Sequence, residues 1–226
     1  KEKLIEQKKE QKKGLMQRLL TGKVRLPGFE GEWKEVKLGQ IVDKIVGGGT
    51  PNRNNEEYFN GNIPWATVKD IGEENYKSTT IETITEKGLA NSAAKIIEKG
   101  NLIISTRMGL GRGFINLVDM AINQDLKGIY LNKEMVDVTF FLYWYKSKEN
   151  DFERQGAGST VKGINLSTLK AMRMLLPNIM EQKEIAKVLT CIDKELELLT
   201  SELEQLKKQK KGLMQLLLTG KVRVKC

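Results

Sequence analysis

The sequence contains no histidine, so the commonest general base and the commonest zinc ligand are both missing. Carboxylates, lysines and the two cysteines, Cys191 and Cys226, are what remain for chemistry. No two carboxylates are paired in a way that marks an acid–base site. Gly47-Gly48-Gly49-Thr50 suggests a phosphate cradle, but no Gly-Lys-Ser/Thr follows and the P-loop pattern is not met. Gly109, Gly111 and Gly113 alternate instead of following the dinucleotide-binding spacing, and they read as a turn between two strands. The residues that do recur in loops suit nucleic acid: Lys and Arg neutralise phosphates, while Arg, Lys, Asn and Gln reach base edges. Three stretches carry them. The Gly-rich loop offers Thr50, Asn52, Arg53, Asn54 and Asn55. The strand pair around residues 104–114 offers Arg107 and Arg112 beside glycines that permit close backbone approach. The segment GAGSTVKGIN, residues 156–165, offers Ser159, Thr160, Lys162 and Asn165. Lys69, after a third strand, is a weaker candidate. Asn123-Gln124-Asp125 reads as a buried turn network, and Trp33, Trp65 and Trp144 read as core.

The elements that must position these side chains form an α+β pattern. The period-two stretch at 33–38 and the glycines after it predict a strand, a short helix and a loop. Strand-like runs follow at 63–68, 102–105, 113–117, 128–131 and 173–176. FFLYWYKSKEN, residues 140–150, predicts a helix with an aromatic buried face, and 91–98 and 167–171 predict short helices. From Met180 to Leu218 no proline intervenes. Ile185, Leu189, Ile192, Leu196, Leu199, Leu203, Leu206, Leu213 and Leu217 alternate at spacings of four and three, with Lys210 in the remaining slot. That is the seam of a coiled coil. Gly212 costs about 1 kcal/mol against Ala, which such a seam absorbs, and Thr219-Gly220 is the stop.

The end of this rod is written twice. EQKKEQKKGLMQRLLTGKVR at 6–25 and EQLKKQKKGLMQLLLTGKVR at 204–223 differ only at Lys8/Leu206, Glu10/Lys208 and Arg18/Leu216. The interval is that of a domain, far beyond a solenoid repeat. The N-terminal copy puts Ile5, Leu15 and Leu19 in its seam. At about 20 residues it is marginal alone and needs a partner helix, in the same chain or a second one. The charge follows the repeat. The net charge is +9, yet residues 26–177 hold nineteen Lys/Arg and nineteen Asp/Glu. Any nucleic-acid surface in the middle must therefore come from placement of charge, not from its sum. No apolar run approaches a membrane span, the Lys/Glu-rich start lacks a signal-peptide core, and two cysteines make no disulfide framework. A reducing cytoplasm is the expectation.

The strings NGNIPWATVKDI, KGNLIISTRMGLGRGFI, AINQDLKGIYL, GAGSTVKGINLSTLKAMRMLLP and EQKEIAKVLTCIDKELE, with GGGTPNRNNEEYFNGNIPW before them, stand in order across residues 28–226. In that order they resemble the specificity (S) subunits of type I restriction–modification systems. The resemblance implies a non-catalytic, sequence-specific DNA-binding subunit that reads double-stranded DNA. Its partners would be modification (M) subunits, and beyond them restriction (R) subunits, with SAM, ATP and Mg found only on those partners. It implies residues 1–22 as the end of a conserved helix and 23–177 as a loop-rich mixed α/β target recognition domain. Residues 178–221 would be the long conserved helix of an antiparallel coiled-coil spacer, and 222–226 a tail. A complete S subunit has two recognition domains and two such helices, so this chain resembles half of one, as a natural half-subunit or as a fragment. Asn62-Ile63-Pro64-Trp65 lacks the second proline of a methyltransferase catalytic loop. Lys8–Lys13 and Lys207–Lys211 would meet either partner subunits or DNA phosphates. The unpartnered seam predicts a homodimer through the helices. The competing expectation is a helical oligomerisation scaffold whose globular domain binds a protein.

Overall fold

The computed structural model describes residues 1–107, 109–156 and 165–219. The chain divides into two compact units, Lys1–Arg18 with Lys187 onward, and Leu19–Ala186.

In the larger unit, β1 (Lys34–Lys37) pairs antiparallel with β11 (Arg173–Leu176), Lys34 opposite Leu176, so the two ends of the unit lie side by side. The one-turn helix α2 (Leu38–Ile41) buries Leu38 and Ile41, and its Gln40 side chain accepts from the Lys37 N–H at 2.8 Å. It delivers the chain to β2 (Val42–Gly47). Beside β2 stand β10 (Leu126–Leu131), β7 (Leu102–Ser105), β8 (Gly113–Asn116) and β4 (Tyr76–Lys77), in that order in a five-stranded sheet. A four-stranded sheet runs β5 (Glu82–Ile84), β3 (Phe59–Ala66), β9 (Met120–Ile122), β6 (Lys95–Ile97). The strands β7, β8 and β9 are buried at every position, which is why they read as short apolar runs and not as alternation. Ile97, Met120 and Ile122 from one sheet and Ile103, Phe114 and Leu126 from the other form one fully buried cluster.

Three expectations change here. Residues 91–98 are not a helix. Thr85 caps α3 (Glu86–Ala90) by accepting from the Gly88 N–H, and the helix ends there. The following isoleucines are drawn into β6 by pairing with β9, Ile97 opposite Met120, so a tertiary ladder overrides local propensity. The aromatic helix α4 (Val138–Ser147) buries all six residues from Phe140 to Tyr145, not one face, as a helix apolar all round must. Trp33 is only partly buried: its indole N–H donates to Glu181 at 3.3 Å, and the Arg25 guanidinium lies 5.7 Å from its ring. Trp65 and Trp144 are core.

Short helices α5 (Glu149–Gly156) and α6 (Leu166–Ala171) precede β11. The long helix α7 (Ile179–Leu218) has 40 residues, about 60 Å at 1.5 Å per residue. Its first turns belong to the larger unit. Glu181, fully buried, accepts from Arg25 Nε at 2.6 Å and from a second guanidinium nitrogen at 2.8 Å. Gln182, also fully buried, donates to the carbonyls of Met135 and Pro177 and accepts from the Asp137 N–H.

In the smaller unit α1 (Glu2–Leu19) lies antiparallel to α7 of the same chain. Its ion pairs set the direction: Lys1–Glu202 at 2.5 Å, Glu2–Lys207 at 3.1 Å, Lys8–Glu195 at 2.9 Å, and Lys12–Asp193. Along the seam Ile185 and Leu189 are buried, Ile192, Leu196, Leu199 and Leu203 are half-buried, and Leu206, Leu213 and Leu217 are 42%, 60% and 45% exposed. Among the described residues no helix is long and apolar enough to cross a membrane.

Candidate nucleic-acid interface

The Gly-rich loop leaves β2 pressed against the backbone of β9. The Gly49 N–H donates to the Ile122 carbonyl at 3.1 Å, and a Cβ on Gly48 would stand 1.9 Å from that same oxygen. Trp65 fixes the loop from below, its indole N–H donating to the Gly49 carbonyl at 3.2 Å. These glycines therefore serve internal packing, and the loop they seat is a defined shape.

What the loop presents is ordered in sequence. The Thr50 hydroxyl donates to Gln124 Oε1 at 2.6 Å. Asn52 accepts the Asn54 N–H, and Asn55 accepts the Glu57 N–H to open a 3-10 turn at Glu56–Tyr58. The Arg53 guanidinium lies 5.0 Å over Phe59 and 4.9 Å over Trp65, and donates to Glu82 Oε2 at 2.5 Å. Stacking and pairing together fix the plane of the cation. Lys69 comes to the same carboxylate from a second 3-10 turn, Val68–Asp70, with Nζ 3.6 Å from Glu82 Oε1. Arg53, ahead of Lys69, holds the Glu82 carboxyl below the usual carboxylate range.

A neighbouring group forms at the β9–β10 turn. Asn123 and Asp125 make the polar turn expected of them: the Asp125 N–H donates to Asn123 Oδ1, and the Asn123 amide donates to Asp125 Oδ2. Gln124 between them is exposed and is the residue that meets Thr50. The backbone of Thr106 donates to the Asp125 carbonyl at 3.2 Å, and Arg107 pairs with Asp125 Oδ1 at 3.4 Å. Lys127 Nζ donates to the Gln124 carbonyl at 3.1 Å. Desolvation, and then the charge of Arg107, push the Lys127 ammonium below its ordinary pKa, with Asp125 opposing. Thr50 and Arg53 from the Gly-rich loop, Lys69 from the 68–70 turn and Arg107 after β7 thus come from three separate segments and are tied together through Gln124, Glu82, Asp125 and Trp65.

The other candidates are placed differently. Arg112 Nε donates to Glu149 Oε1 at 2.5 Å, at the start of α5. Gly111, at φ 82°, would set a Cβ 2.5 Å from the Glu149 Cα, so the close approach here is to the chain's own helix. Asn165 spends its side chain as the cap of α6, accepting from the Thr168 N–H at 2.7 Å and the Ser167 hydroxyl at 2.6 Å. Ser159, Thr160 and Lys162 lie outside the described residues. Gln124, which the sequence places in a buried turn, is instead exposed, and no local pattern marks Lys127 or Glu82. The triple Asn-Gln-Asp between two apolar strands was the one available signal for the first.

Residues 30–208 match the family described as the type I restriction modification DNA specificity domain. The chain is 32% identical over 233 residues to the putative type I restriction enzyme MjaX specificity subunit of Methanocaldococcus jannaschii, covering 99% of this chain and 53% of that protein. It is 33% identical over 172 residues to the EcoR124I/EcoR124II specificity subunit of Escherichia coli, covering 73% of this chain and 41% of that one. The crystal structure of an HsdS subunit from Thermoanaerobacter tengcongensis shares the fold, with a TM-score of 0.64 at 20% identity over 95% of this chain and 52% of that chain. The chain thus spans about half the length of the relatives it matches.

Proposed function

The chain belongs to the type I restriction–modification DNA specificity family, and on that premise we propose that it is a non-catalytic, sequence-specific DNA-binding subunit that reads one half of a bipartite site. The observation that carries this reading is the convergence of Thr50 and Arg53, Lys69, and Arg107 from three segments onto one braced group of loops. In a stretch of no net charge, placement of this kind is what makes a cationic, donor-rich surface. Arg53, held flat by two rings, suits bidentate contact with a base or phosphate; Arg107 and Lys69 suit phosphates. The helical unit is the spacer between half-sites, as dimer geometry is in other DNA readers. Its open ridge at Leu206, Leu213 and Leu217 supports self-association, and a symmetric pair would read a palindromic pair of half-sites. Methyl transfer and DNA cleavage then reside on M and R subunits docked to this chain, which bring SAM, ATP and Mg with them in the cytoplasm.

The test is fluorescence anisotropy on a pool of random duplexes, with selection and sequencing of the bound fraction across a salt series. Binding that weakens steeply with salt, with one enriched half-site motif, is expected. A bound fraction with no enriched motif, or no binding at low salt, refutes the reading and leaves a protein-binding scaffold.

A further inference from the structure

Every described cation singled out as a DNA contact is already held by a carboxylate of the same chain. Arg53 and Lys69 share Glu82, Arg107 meets Asp125, and Arg112 meets Glu149. The Glu82 arrangement is the most developed. One oxygen takes Arg53 at 2.5 Å and the other faces Lys69 at 3.6 Å, so a single carboxylate bridges cations from two loops. A phosphate bridges two cations in the same way. The Glu82 side chain is 24% exposed, while Arg53 and Lys69 are 53% and 72% exposed. Both cations are therefore reachable from solvent while Glu82 already takes up part of the hydrogen-bonding perimeter that a phosphate would use. Arg53 holds the Glu82 carboxyl below its usual range, so it is charged at neutral pH.

We propose that Glu82, seconded by Asp125, is a specificity-determining residue that occupies the phosphate-binding side of these cations and so suppresses attachment to arbitrary DNA. The inference rests on the DNA-reading function above and deepens it. Exposed ion pairs are weak, on the order of 1.5- to 5-fold each in an equilibrium constant, so a phosphate can exchange for the carboxylate. An arbitrary duplex gains little by that exchange, because it replaces one anion with another and meets the displaced carboxylate as a like charge. A target duplex adds base-edge contacts that the carboxylate cannot supply. Affinity for phosphate alone is thereby kept low while the cations remain oriented, which raises the ratio of specific to non-specific binding that matters in a genome.

The experiment compares the full chain with Glu82→Gln, which preserves shape and one acceptor. It uses a random-sequence duplex and the duplex selected above, from low to moderate salt. Glu82→Gln is expected to bind the random duplex several-fold tighter. Its salt dependence should steepen by roughly 0.9 in log–log slope, as for one more effective charge on DNA, and its discrimination between the two duplexes should fall. Asp125→Asn, which keeps one acceptor beside Arg107, should act in the same direction, and it keeps the test standing if the first variant fails to fold. Unchanged or weaker binding to the random duplex, with an unchanged slope, overturns the inference and makes Glu82 only a brace for Arg53. Failure of the unsubstituted chain to bind any duplex is a different outcome: it removes the DNA-reading function, and this inference with it.

Discussion

Two leucines of the same seam are set in opposite environments, and exchanging each for alanine separates what the helix does within one chain from what it does between chains. Leu189 is fully buried, so Leu189→Ala removes packed atoms and leaves a cavity, at a cost of about 2–5 kcal/mol. Leu213 is 60% exposed; full burial of a leucine is worth about 1.5–3 kcal/mol, so about 1–2 kcal/mol of it is still to be gained by a partner. In a symmetric dimer each substitution counts twice, giving about 2–4 kcal/mol, or roughly one and a half to three orders of magnitude in the dimer dissociation constant. Chemical denaturation at fixed, low concentration reads the first effect, and sedimentation velocity over a concentration series reads the second. Leu189→Ala should lower the denaturation midpoint at every concentration. Leu213→Ala should leave the monomer close to unchanged and shift the monomer–dimer transition to higher concentration. If Leu213→Ala destabilises the monomer as much as Leu189→Ala, the burial argument fails. If the unsubstituted chain stays monomeric at micromolar concentration, self-association fails.

Under the proposed function Arg107 meets phosphate, so Arg107→Ala should weaken binding about equally across sequences and lower the log–log salt slope by about 1; a change in preferred sequence would refute that assignment. Asp70 is 2% exposed and accepts from the Thr67 N–H at 2.8 Å and the Ile81 N–H at 2.7 Å. Asp70→Ala therefore strands the buried Thr67 N–H, at about 1–3 kcal/mol, while the N–H of the exposed Ile81 can turn to water; denaturation with unchanged stability would contradict the hydrogen-bond assignment. Glu82 titrates below its ordinary pKa in the folded chain because of Arg53. Its contribution to stability is complete above the ordinary carboxylate value and is lost as pH falls through the depressed one. The thermal midpoint of Glu82→Gln should accordingly fall less on acidification than that of the unsubstituted chain.

What the sequence made legible is what neighbouring residues decide. The heptads of α7 repeat over many turns, and β7, β8 and β11 are apolar or alternating runs bounded by glycine or proline, so local pattern suffices. The strands β4, β5, β6 and β9 have two or three residues each. Too short to show a period, they exist because a distant strand pairs with them, as Tyr76 with Ile115 and Lys95 with Ile122. The site divides in the same way. Arg53, Lys69 and Arg107 are recognisable by type and loop position, but Glu82 and Gln124 acquire meaning only from a fold that brings them to residues 29 and 74 positions away.

The repeated phrase at the two ends has a structural meaning that neither copy shows alone. α1, which carries the first copy, rests antiparallel on the stretch of α7 that holds Asp193, Glu195 and Glu202. The second copy, being nearly identical, is a helix suited to the same surface. With residues 6–25 aligned to 204–223, Lys210 would take the place of Lys12 opposite Asp193, while Leu206 would replace Lys8 opposite Glu195, exchanging an ion pair for apolar area. Two α7 helices can therefore pair antiparallel in the register that α1 already uses. While α1 is in place, that stretch is taken, and Glu2–Lys207 is the outermost of the ion pairs. What stays open to a second helix is the ridge beyond it, with Leu213, Met214, Leu217 and Leu218 all at least 45% exposed. Under the proposed self-association, a helical unit built from two copies of one phrase is closed within a chain or extended by a second, and occupancy of the Asp193–Glu202 surface decides which.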